Sequence, residues 1–558
     1  MNRGLMRGLA VAILAAVAFV YLPVIHGKFL WDDWPSFRDL QGEQWLHYVF
    51  RDFNRWNLYF RPLTVAFFAF QIKLFHSQPE PMHVVLLVIH LINVSLVGVL
   101  ANRIGYLKEA TESRRSWTAL VCMLVYGLHP ALIESVSWIG CQFDQITTMV
   151  TLCGLITNAY IQRPILRAGA LSFIFFVAAC CKEAASVFPL LVVLFDWALF
   201  AQNGERTPQA IIGTVLRRNW RAYAAMLACG IAYLGLRHWA LGEVNYLQSS
   251  ATTAWFARFQ EICFVYMRYL RILVWPIAGM GPLHPVDVTQ FRYATATSIL
   301  NDLATLSIVA GGLYLAVRRG SPLGFVILAV TGALLPVLHI LPVVFERSSL
   351  FHERYATMAL AVGCAMLPLL KWPRIAAFSK GTTGMARLLG PAVLFLWLMF
   401  AIIDIRTIVP NWANDIALWR WAIALDHHSL LAKDYLLMAY EDSGDIDSAL
   451  SFGDQLLAEP VTCTSCMLHF AKIALNKNDT ARAAAALEKA SRSTLVRASP
   501  EARQLYLSEL GQWLNMQGRH DDARQAFEAA LALKPDDNDA KRGLAQANAF
   551  IHDAKQMP

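Results

Sequence analysis

Two adjacent carboxylates, Asp32 and Asp33, stand between Trp31 and Trp34 directly after the first apolar stretch of the chain. That stretch covers residues 5–25, and a helix rising about 1.5 Å per residue over this length crosses a hydrocarbon core of about 30 Å. The acids therefore lie where the chain leaves the bilayer, a boundary that suits indole rings. A carboxylate there can act as a general base or a metal ligand beside a membrane-embedded substrate. The alternative is two solvated acids in a first loop, with the tryptophans as interfacial anchors.

The composition indicates a multi-pass membrane protein with a second, more polar part. Of 558 residues, 56% are hydrophobic and 16% are charged, whereas globular domains average about 25% charged residues. Long apolar runs stop near Trp412. We predict an all-α chain with a membrane domain over residues 1–410 and a helical domain over residues 411–558. The net charge of +8 is attributed to inner loops, and the tail has no basic, aromatic-interleaved patch that would indicate a nucleic-acid partner.

Lysine and arginine between the apolar runs predict the orientation of the membrane domain by the positive-inside rule. The result is about eleven spans, with the N-terminus inside and the tail outside. The predicted spans cover residues 5–25, 82–101, 117–133, 146–161, 168–181, 184–200, 222–241, 299–317, 323–341, 355–370 and 388–408. An apolar segment at 262–280 contains Arg268 and Arg271, so we interpret it as re-entrant or interfacial.

Charged residues of both signs gather in the short outer loops, whereas the inner loops carry mainly lysine and arginine. The outer set is Asp32, Asp33, Glu134, Asp144, Lys182, Glu183, Glu346, Arg347, His352, Glu353 and Arg354. Charges near helix ends can be interfacial groups whose stems lie along apolar surface. Their concentration on one side instead favours a shared polar cavity. None of these groups has convincing metal-ligand spacing, although an Asp-Asp pair could hold a divalent cation.

The tail contains an internal repeat. Gly444-Asp445, Asn478-Asp479 and Gly518-Arg519 recur at intervals of about 34 to 40 residues, each between two helix-period segments. The best unit matches the tetratricopeptide pattern at Leu507, Leu510, Gly511, Leu514, Ala523, Phe527, Ala530 and Pro535. The alternative is an ordinary helical bundle. Such arrays build concave surfaces that bind peptides or partner proteins. Cys463 and Cys466 form either a local disulfide or two inert thiols.

Six segments, in this order, together resemble one family. They are Phe29-Leu30-Trp31-Asp32-Asp33, Tyr59-Phe60-Arg61-Pro62-Leu63-Thr64, His129-Pro130 with Glu134, Val136, Trp138 and Ile139, Cys181-Lys182-Glu183, Tyr233-Leu234 with Arg237, and His352-Glu353-Arg354-Tyr355. With the repeats on the outer side, the chain resembles the transmembrane-and-tetratricopeptide-repeat protein O-mannosyltransferases. More broadly it is similar to the GT-C superfamily of polyprenyl-phosphate-sugar glycosyltransferases. It departs from the family at Cys181, where Ser is frequent, and in having only about three repeats.

The resemblance implies a lipid-phosphate sugar donor and a soluble acceptor that meet at the outer membrane face. It assigns the base that activates the acceptor hydroxyl to Asp32, with Asp33 as its neighbour. A carboxylate that takes the proton during attack makes an alcohol a better nucleophile, and direct displacement with one base predicts inversion at the sugar carbon.

The leaving group is a phosphate ester, so cations must offset its charge. The candidates are Arg354, Arg61 and Lys182, in that order. Arg61 could instead have a structural role at a helix start, and Lys182 could pair with Glu183. Candidate substrate-binding residues, which could also orient the cations or cap helices, are Glu134, Asp144, Glu183, Glu353 and His352.

We therefore expect an integral-membrane, inverting protein O-glycosyltransferase without a cofactor, although a divalent cation is possible. Its partners would be the polyprenyl-phosphate-linked sugar, membrane lipid and an exported acceptor protein docked by the repeats. Transfer to a cell-envelope glycan or lipid, and a non-enzymatic membrane-anchored scaffold, are the alternatives. The expected location is a bacterial inner membrane with the site and tail in the periplasm, or the endoplasmic reticulum membrane with both facing the lumen.

Overall fold

The structure is a computed structural model that describes residues 3–51, 59–200, 207–242, 255–276, 279–340, 349–370 and 385–556. It divides into two compact units, Met1–Asn414 and Asp415–Pro558, so the division falls four residues after the predicted boundary. Secondary structure is helical in both units, and no β-strand occurs in the ranges just given. Glu346 and Arg347, two of the predicted outer charges, lie outside the described residues.

The first unit has sixteen described α-helices. They are α1 Arg3–Tyr21, α2 Asp33–Gln41, α3 Trp45–Phe50, α4 Pro62–Leu74, α5 Pro79–Leu107, α6 Glu112–Gly127, α7 Ile133–Ser137, α8 Gln142–Tyr160, α9 Pro164–Cys181, α10 Phe188–Phe200, α11 Pro208–Leu241, α12 Trp255–Val274, α13 Ala296–Arg319, α14 Pro322–Leu334, α15 Thr357–Met366 and α16 Met385–Ile408. Five of them begin with proline, whose fixed φ suits the first helical turn and whose missing N–H is not needed there.

Among the described residues, eight helices are long and apolar enough to cross a membrane, or nine if one bent pair counts as a single span. The eight are Arg3–His26, Pro79–Leu107, Ile139–Tyr160, Pro164–Cys181, Glu183–Phe200, Gln209–Leu241, Ala296–Arg319 and Gly390–Trp412. Each corresponds to one of the predicted spans. By this measure, however, the prediction of eleven was too high.

The three remaining predicted spans are apolar in composition but are broken or short as helices. Residues 117–133 divide at Pro130 into two helices bent by 54°. The span predicted at 323–341 is described up to residue 340, where it contains the 13-residue helix α14 and a 3-10 turn with Pro336. Residues 355–370 contain a 10-residue helix followed by a turn at Pro368. Proline lacks a backbone N–H and is unfavourable inside a helix. An apolar run that contains proline therefore need not form one continuous helix. The segment interpreted as re-entrant or interfacial forms α12, which is not among the eight.

Buried amides connect α4 and α5 to the start of α8. Asn93 on α5 donates to the Gln145 side-chain oxygen of α8 over 2.7 Å, and Gln71 on α4 donates to Gln142 over 2.8 Å. All four side chains are buried. Because a buried amide without a partner is costly, these pairs determine how the first turn of α8 is oriented.

The second unit consists of α17 Asp415–Leu425, α18 Leu430–Asp442, α19 Ile446–Ala458, α20 Thr464–Asn476, α21 Thr480–Ser491, α22 Thr494–Ala498, α23 Pro500–Met516, α24 His520–Leu533 and α25 Asn538–Gln556. The turns predicted at Gly444, Asn478 and Gly518 all have positive φ, the conformation that ends many helices. Asp445 and Asp479 then cap the next helices by accepting backbone hydrogen bonds. Cys463 and Cys466 form a disulfide at the start of α20, which decides between the two predicted states.

Candidate functional site

An unusual backbone conformation at Trp31 precedes the two carboxylates. Its φ is 51°, in the left-handed region that residues other than glycine adopt rarely and often at functional sites. The indole stacks on Trp138, with ring centroids 5.3 Å apart and planes 12° apart. This contact fixes the turn. Asp32 follows as the residue before α2, which starts at Asp33.

The two neighbouring acids have different surroundings. Asp33 is 2% exposed, and its Oδ2 accepts a hydrogen bond from the Leu30 N–H over 3.2 Å. It also lies in the first turn of α2, where the helix dipole favours negative charge. Asp32 is exposed, and no hydrogen bond or ion pair joins its carboxylate to another residue in the described ranges. Asp33 is therefore held by the turn, and Asp32 remains accessible.

A cavity of about 110 Å³ opens next to Asp32. Six of the ten predicted site residues line it: Asp32, Asp33, Arg61, Asp144, Lys182 and Arg354. Aromatic side chains form much of the remaining wall, from Phe37, Tyr59, Phe68, Trp138, Phe143 and Tyr355. Six charged and six aromatic side chains therefore face one concave space, which is more polar than an ordinary small-molecule pocket.

Contacts between distant segments bring these residues together. Thr64, in the first turn of α4, donates to the Cys181 carbonyl at the end of α9 over 3.1 Å. Tyr233 on α11 donates to the Phe60 carbonyl over 3.0 Å. The Trp31–Trp138 stacking and a contact between Arg354 and Glu134 join the other three segments on which the family resemblance rests, and Lys182 Nζ, 4.8 Å from the Tyr355 ring centroid, connects the two groups.

Arg61 pairs with Glu183 through two parallel hydrogen bonds. Its Nε lies 2.8 Å from Oε2 and its Nη2 lies 2.5 Å from Oε1, the bidentate geometry in which arginine binds carboxylates most specifically. The guanidinium also lies 4.2 Å from the Tyr59 ring centroid and 4.8 Å from that of Phe143. Arg61 directly precedes α4, which is the position expected for a structural role at a helix start. Because it also lines the cavity, the two roles predicted for it are compatible.

Lys182 pairs with Asp144, with 2.6 Å between Nζ and Oδ1. The two side chains are only 9% and 11% exposed, and Nζ lies 4.8 Å from the Tyr355 ring centroid. The alternative of a self-contained Lys182–Glu183 pair is therefore wrong, because each has a hydrogen-bonded partner elsewhere. The reason is local backbone direction: α9 ends at Cys181, and extended backbone at Lys182 separates the two side chains.

Arg354 is held by Glu134, which is 2% exposed and does not line the cavity. The backbone N–H of Arg354 donates to Oε2 over 2.9 Å, and Nη1 donates to Oε1. Nη2 donates to the Tyr355 hydroxyl over 3.2 Å. The Ser135 and Thr357 hydroxyls, 2.6 Å apart, join α7, which carries Glu134, to the start of α15, which follows the turn that carries Arg354. Glu134 thus orients Arg354 from behind the cavity wall.

His352 and Glu353 also lie behind the wall and do not face the cavity. His352 Nδ1 is 3.6 Å from Glu134 Oε1, and burial, reinforced by the Arg354 charge, holds the pKa of His352 well below its ordinary value. Glu353 Oε1 lies 2.8 Å from Nε2 of His284. Burial opposes a charge on His284, but the Glu353 carboxylate outweighs that effect and raises the pKa of the imidazole.

The pKa of the Asp32 carboxyl depends on its position at the mouth of the cavity. Protein surrounds the carboxyl on most sides although the cavity leaves it accessible, and this desolvation raises the pKa of Asp32. The positive charge of Arg354 acts in the opposite direction and is the smaller effect. A carboxylate whose pKa is raised is a stronger base than an ordinary surface aspartate.

Sequence reasoning missed four residues at this site. Tyr59, Trp138 and Tyr355 are part of the quoted segments but were given no role, although each is next to, or within a few residues of, a predicted site residue. His284 lies in a proline-flanked loop with no nearby charge pattern. Only its contact with Glu353 reveals it. Across the described ranges, no group of three or more His, Cys, Asp or Glu side chains is arranged to hold a metal ion.

Comparison with known families identifies one part of the chain. A tetratricopeptide repeat family model matches residues 468–537 and 516–549, which lie in α20 to α25. The tail therefore carries tetratricopeptide repeats, as predicted. The match is confined to the tail and does not extend to the first unit. No curated protein and no solved structure matches the chain.

Proposed function

We propose that the chain is an integral-membrane, inverting glycosyltransferase that moves a sugar from a polyprenyl-phosphate donor to a Ser or Thr hydroxyl of an exported protein. The observation that carries this proposal is the accessible Asp32 carboxylate in a cavity lined by Arg61, Lys182 and Arg354. Each of those cations already has a carboxylate partner, so Asp32 is the acid available to a substrate.

Asp32 would serve as the general base. As the acceptor oxygen attacks the anomeric carbon, its proton passes to the Asp32 carboxylate. The bond between that carbon and the phosphate oxygen breaks, and its electron pair stays on the phosphate. The products are the glycosylated acceptor, with inverted configuration, and polyprenyl phosphate.

Lys182 and Arg354 would receive the leaving phosphate. An ammonium has three donors, and Lys182 uses one of them on Asp144. The carboxylate partners hold the cations in place before the reaction, so that little reorganisation is needed when charge develops on the phosphate. Glu134 acts through Arg354 and is a positioning residue.

The tail supports a protein acceptor. Tetratricopeptide repeats commonly bind proteins or peptides on a concave surface, and this function would explain why such an array is attached to a membrane enzyme. Transfer to a lipid or glycan would leave the array without a role in acceptor recognition.

Intact-mass spectrometry of exported proteins from cells carrying wild type or Asp32→Asn tests the proposal. Asn has the size of Asp but cannot take the proton, so we expect the glycoform to disappear at an unchanged level of the enzyme. Asp39→Asn makes the same change further along α2, away from the cavity, and should leave glycosylation intact.

An unchanged protein glycoform in Asp32→Asn would contradict the proposed acceptor, and lipids and envelope glycans would then be compared in the same way. Unchanged lipids and glycans as well would favour the scaffold.

A further inference from the structure

Arg354 lies on a stretch of irregular backbone, residues 349–354, which we call the arginine segment. It contains no α-helix, and only a 3-10 turn begins at Glu353. Backbone polar groups outside helices and sheets must find partners elsewhere, so contacts with other parts of the chain decide where such a segment lies. Glu134 supplies one of these contacts through Arg354 itself. A second set comes from the loop between α12 and α13.

His284, in that loop, makes four contacts with the arginine segment. Its N–H donates to the Ser349 hydroxyl over 2.9 Å, and its carbonyl accepts from the Leu350 N–H over 3.0 Å. The imidazole stacks on Phe351, with ring centroids 4.1 Å apart and planes 9° apart. Its Nε2 lies 2.8 Å from Glu353 Oε1. The backbone, the ring face and a ring nitrogen of one residue are therefore all used on the arginine segment.

The same loop supplies the partners of the Glu353 carboxylate. Glu353 is 1% exposed, and a buried carboxylate requires hydrogen-bond donors or a cation. The Gly281 N–H donates to Oε1 over 3.3 Å, in addition to the His284 imidazole. Pro285 follows His284 directly and restricts its backbone to extended conformations, which limits the positions that the imidazole can take.

The bond between His284 and Glu353 is strongest when the imidazole is charged. Burial opposes that charge, but Glu353 outweighs burial and, with Glu134 acting in the same direction, raises the pKa of His284. Arg268 on α12 is the cation that opposes them. The His352 ring, 6.5 Å away, stays neutral because burial lowers its pKa. Protonated His284 thus balances the charge of Glu353.

We propose that His284 is a positioning residue, which in its protonated form holds Glu353 and thereby the adjacent Arg354 at the wall of the cavity. The inference rests on the proposed function and deepens it, because Arg354 is the cation assigned there to the leaving phosphate. His284 does not line the cavity, so its effect on the reaction passes through the arginine segment. This contribution is complete below the ordinary histidine pKa of about 6.5 and is lost as pH rises through the raised value.

Hydrogen exchange of peptides covering residues 349–357, measured on the full chain in detergent, tests the contact without any sugar transfer. The Leu350 N–H, bonded to His284, reports it directly. Exchange corrected for intrinsic rates should become faster as pH rises through the pKa of His284. His284→Gln keeps a donor near Nε2 but removes the charge, so exchange should be about tenfold faster below pH ~6.5 and depend little on pH. His47→Gln, at an exposed position of α3, is the matched control.

Rates of sugar transfer test the positioning role. The wild type should lose activity on the alkaline side as His284 deprotonates, whereas His284→Gln should be slower by roughly tenfold near neutral pH and lack this alkaline limb. Glu353→Gln should have the same effect, and the double variant should lose little more than either single variant, because both act through one bond. Glu353→Gln and the pH dependence of the wild type keep the test valid if His284→Gln does not fold.

An alkaline limb that persists in His284→Gln, multiplied losses in the double variant, or wild-type exchange at residues 349–357 that does not change with pH would each overturn the inference. A wild type that transfers no sugar, but whose exchange changes as expected, would instead refute the proposed function and leave the contact between His284 and the arginine segment in place.

Discussion

Asp32 and Asp33 are consecutive in the chain, yet only Asp33 is buried and hydrogen-bonded to the turn that precedes it, whereas Asp32 is accessible from the cavity. The left-handed backbone at Trp31 and the start of α2 separate the two side chains. Asp32 thus has the accessibility that the proposed base requires, and Asp33 supports the backbone from which Asp32 projects.

This difference predicts unequal effects of the same substitution. Asp32→Asn should lower the rate of glycosyl transfer by about 10²- to 10⁴-fold, the usual contribution of a general base. Asp33→Asn keeps an oxygen for the Leu30 N–H and should retain far more activity while lowering the unfolding temperature. Initial rates and thermal unfolding of both purified variants make the comparison. Equal losses of activity at equal stability would contradict the assignment of the base to Asp32.

The pH dependence of the rate should report the pKa of Asp32. Desolvation raises this pKa, and the base works only when deprotonated, so activity should fall with decreasing pH at values above the ordinary aspartate pKa of about 3.9. Arg354 lowers the pKa of Asp32, and Arg354→Gln should therefore move the acidic limb to still higher pH, besides lowering the maximum rate. Arg38→Gln, at an exposed position of α2, is the control. An acidic limb that does not move in Arg354→Gln would argue against Asp32 as the titrating base.

The Lys182–Asp144 pair should show strong coupling in stability. Asp144→Asn leaves a nearly buried ammonium without its carboxylate, which costs about 3–5 kcal/mol when a buried pair is broken. Asp144→Asn combined with Lys182→Met removes the isolated charge as well and should recover much of the stability. Activity should not recover, because the proposed phosphate ligand is gone. Thermal unfolding and transfer rates of the two single variants and the double variant separate the two roles. Additive losses of stability would show that the pair is not coupled.

The tail should become less stable as pH rises from about 5 to 8. Burial raises the pKa of Glu509 to about 7, and Lys472 offsets only part of this. A group whose folded pKa is raised contributes stability below its unfolded pKa, and the contribution is lost as pH rises through the folded value. For Glu509 this stability is lost between about pH 4.5 and about pH 7, and the free energy of unfolding falls by up to about 3 kcal/mol.

His469, next to Asp434, acts in the same direction at higher pH, since Asp434 outweighs burial and raises the pKa of His469. Hydrogen exchange of α23 peptides in the full chain, between pH 5 and 8 and corrected for intrinsic rates, measures the change in stability. In Glu509→Gln, the stability of the tail should change little with pH below about 7. The loss of stability caused by His469 at higher pH should remain. A slope unchanged in Glu509→Gln would assign the effect to other groups.

Close helix packing in the last repeat predicts a second effect on stability. A Cβ at Gly543 on α25 would contact the Phe527 ring of α24, and one at Gly511 on α23 would lie 2.8 Å from the same ring. Gly543→Ala should therefore destabilise the tail by about 1–3 kcal/mol despite the better helix propensity of Ala. Gln546→Ala, at an exposed position of the same helix, should change stability by less than about 0.5 kcal/mol. Thermal unfolding of the two variants tests this. An equal or higher unfolding temperature in Gly543→Ala would show that the ring can move away.

Composition and local pattern were sufficient for much of the architecture. Apolar runs located the eight long candidate spans, because the cost of placing polar groups in hydrocarbon imposes a length and a composition on such helices. Gly444 and Gly518 marked the turns of the repeats, because glycine adopts positive φ without steric cost. Residue types near the helix ends also indicated six acids and cations that line the cavity, together with four residues that do not line it.

Only the tertiary structure decided how those residues are paired. The partners Lys182 and Asp144 are 38 residues apart, Arg61 and Glu183 are 122 apart, and Arg354 and Glu134 are 220 apart. Which carboxylate meets which cation depends on the directions in which separate helices end. The same holds for His284 and Glu353, and for the burial of Asp33 but not Asp32. Electrostatic interactions act over a few ångströms in space, whatever the separation in sequence, so the order of residues alone cannot determine them.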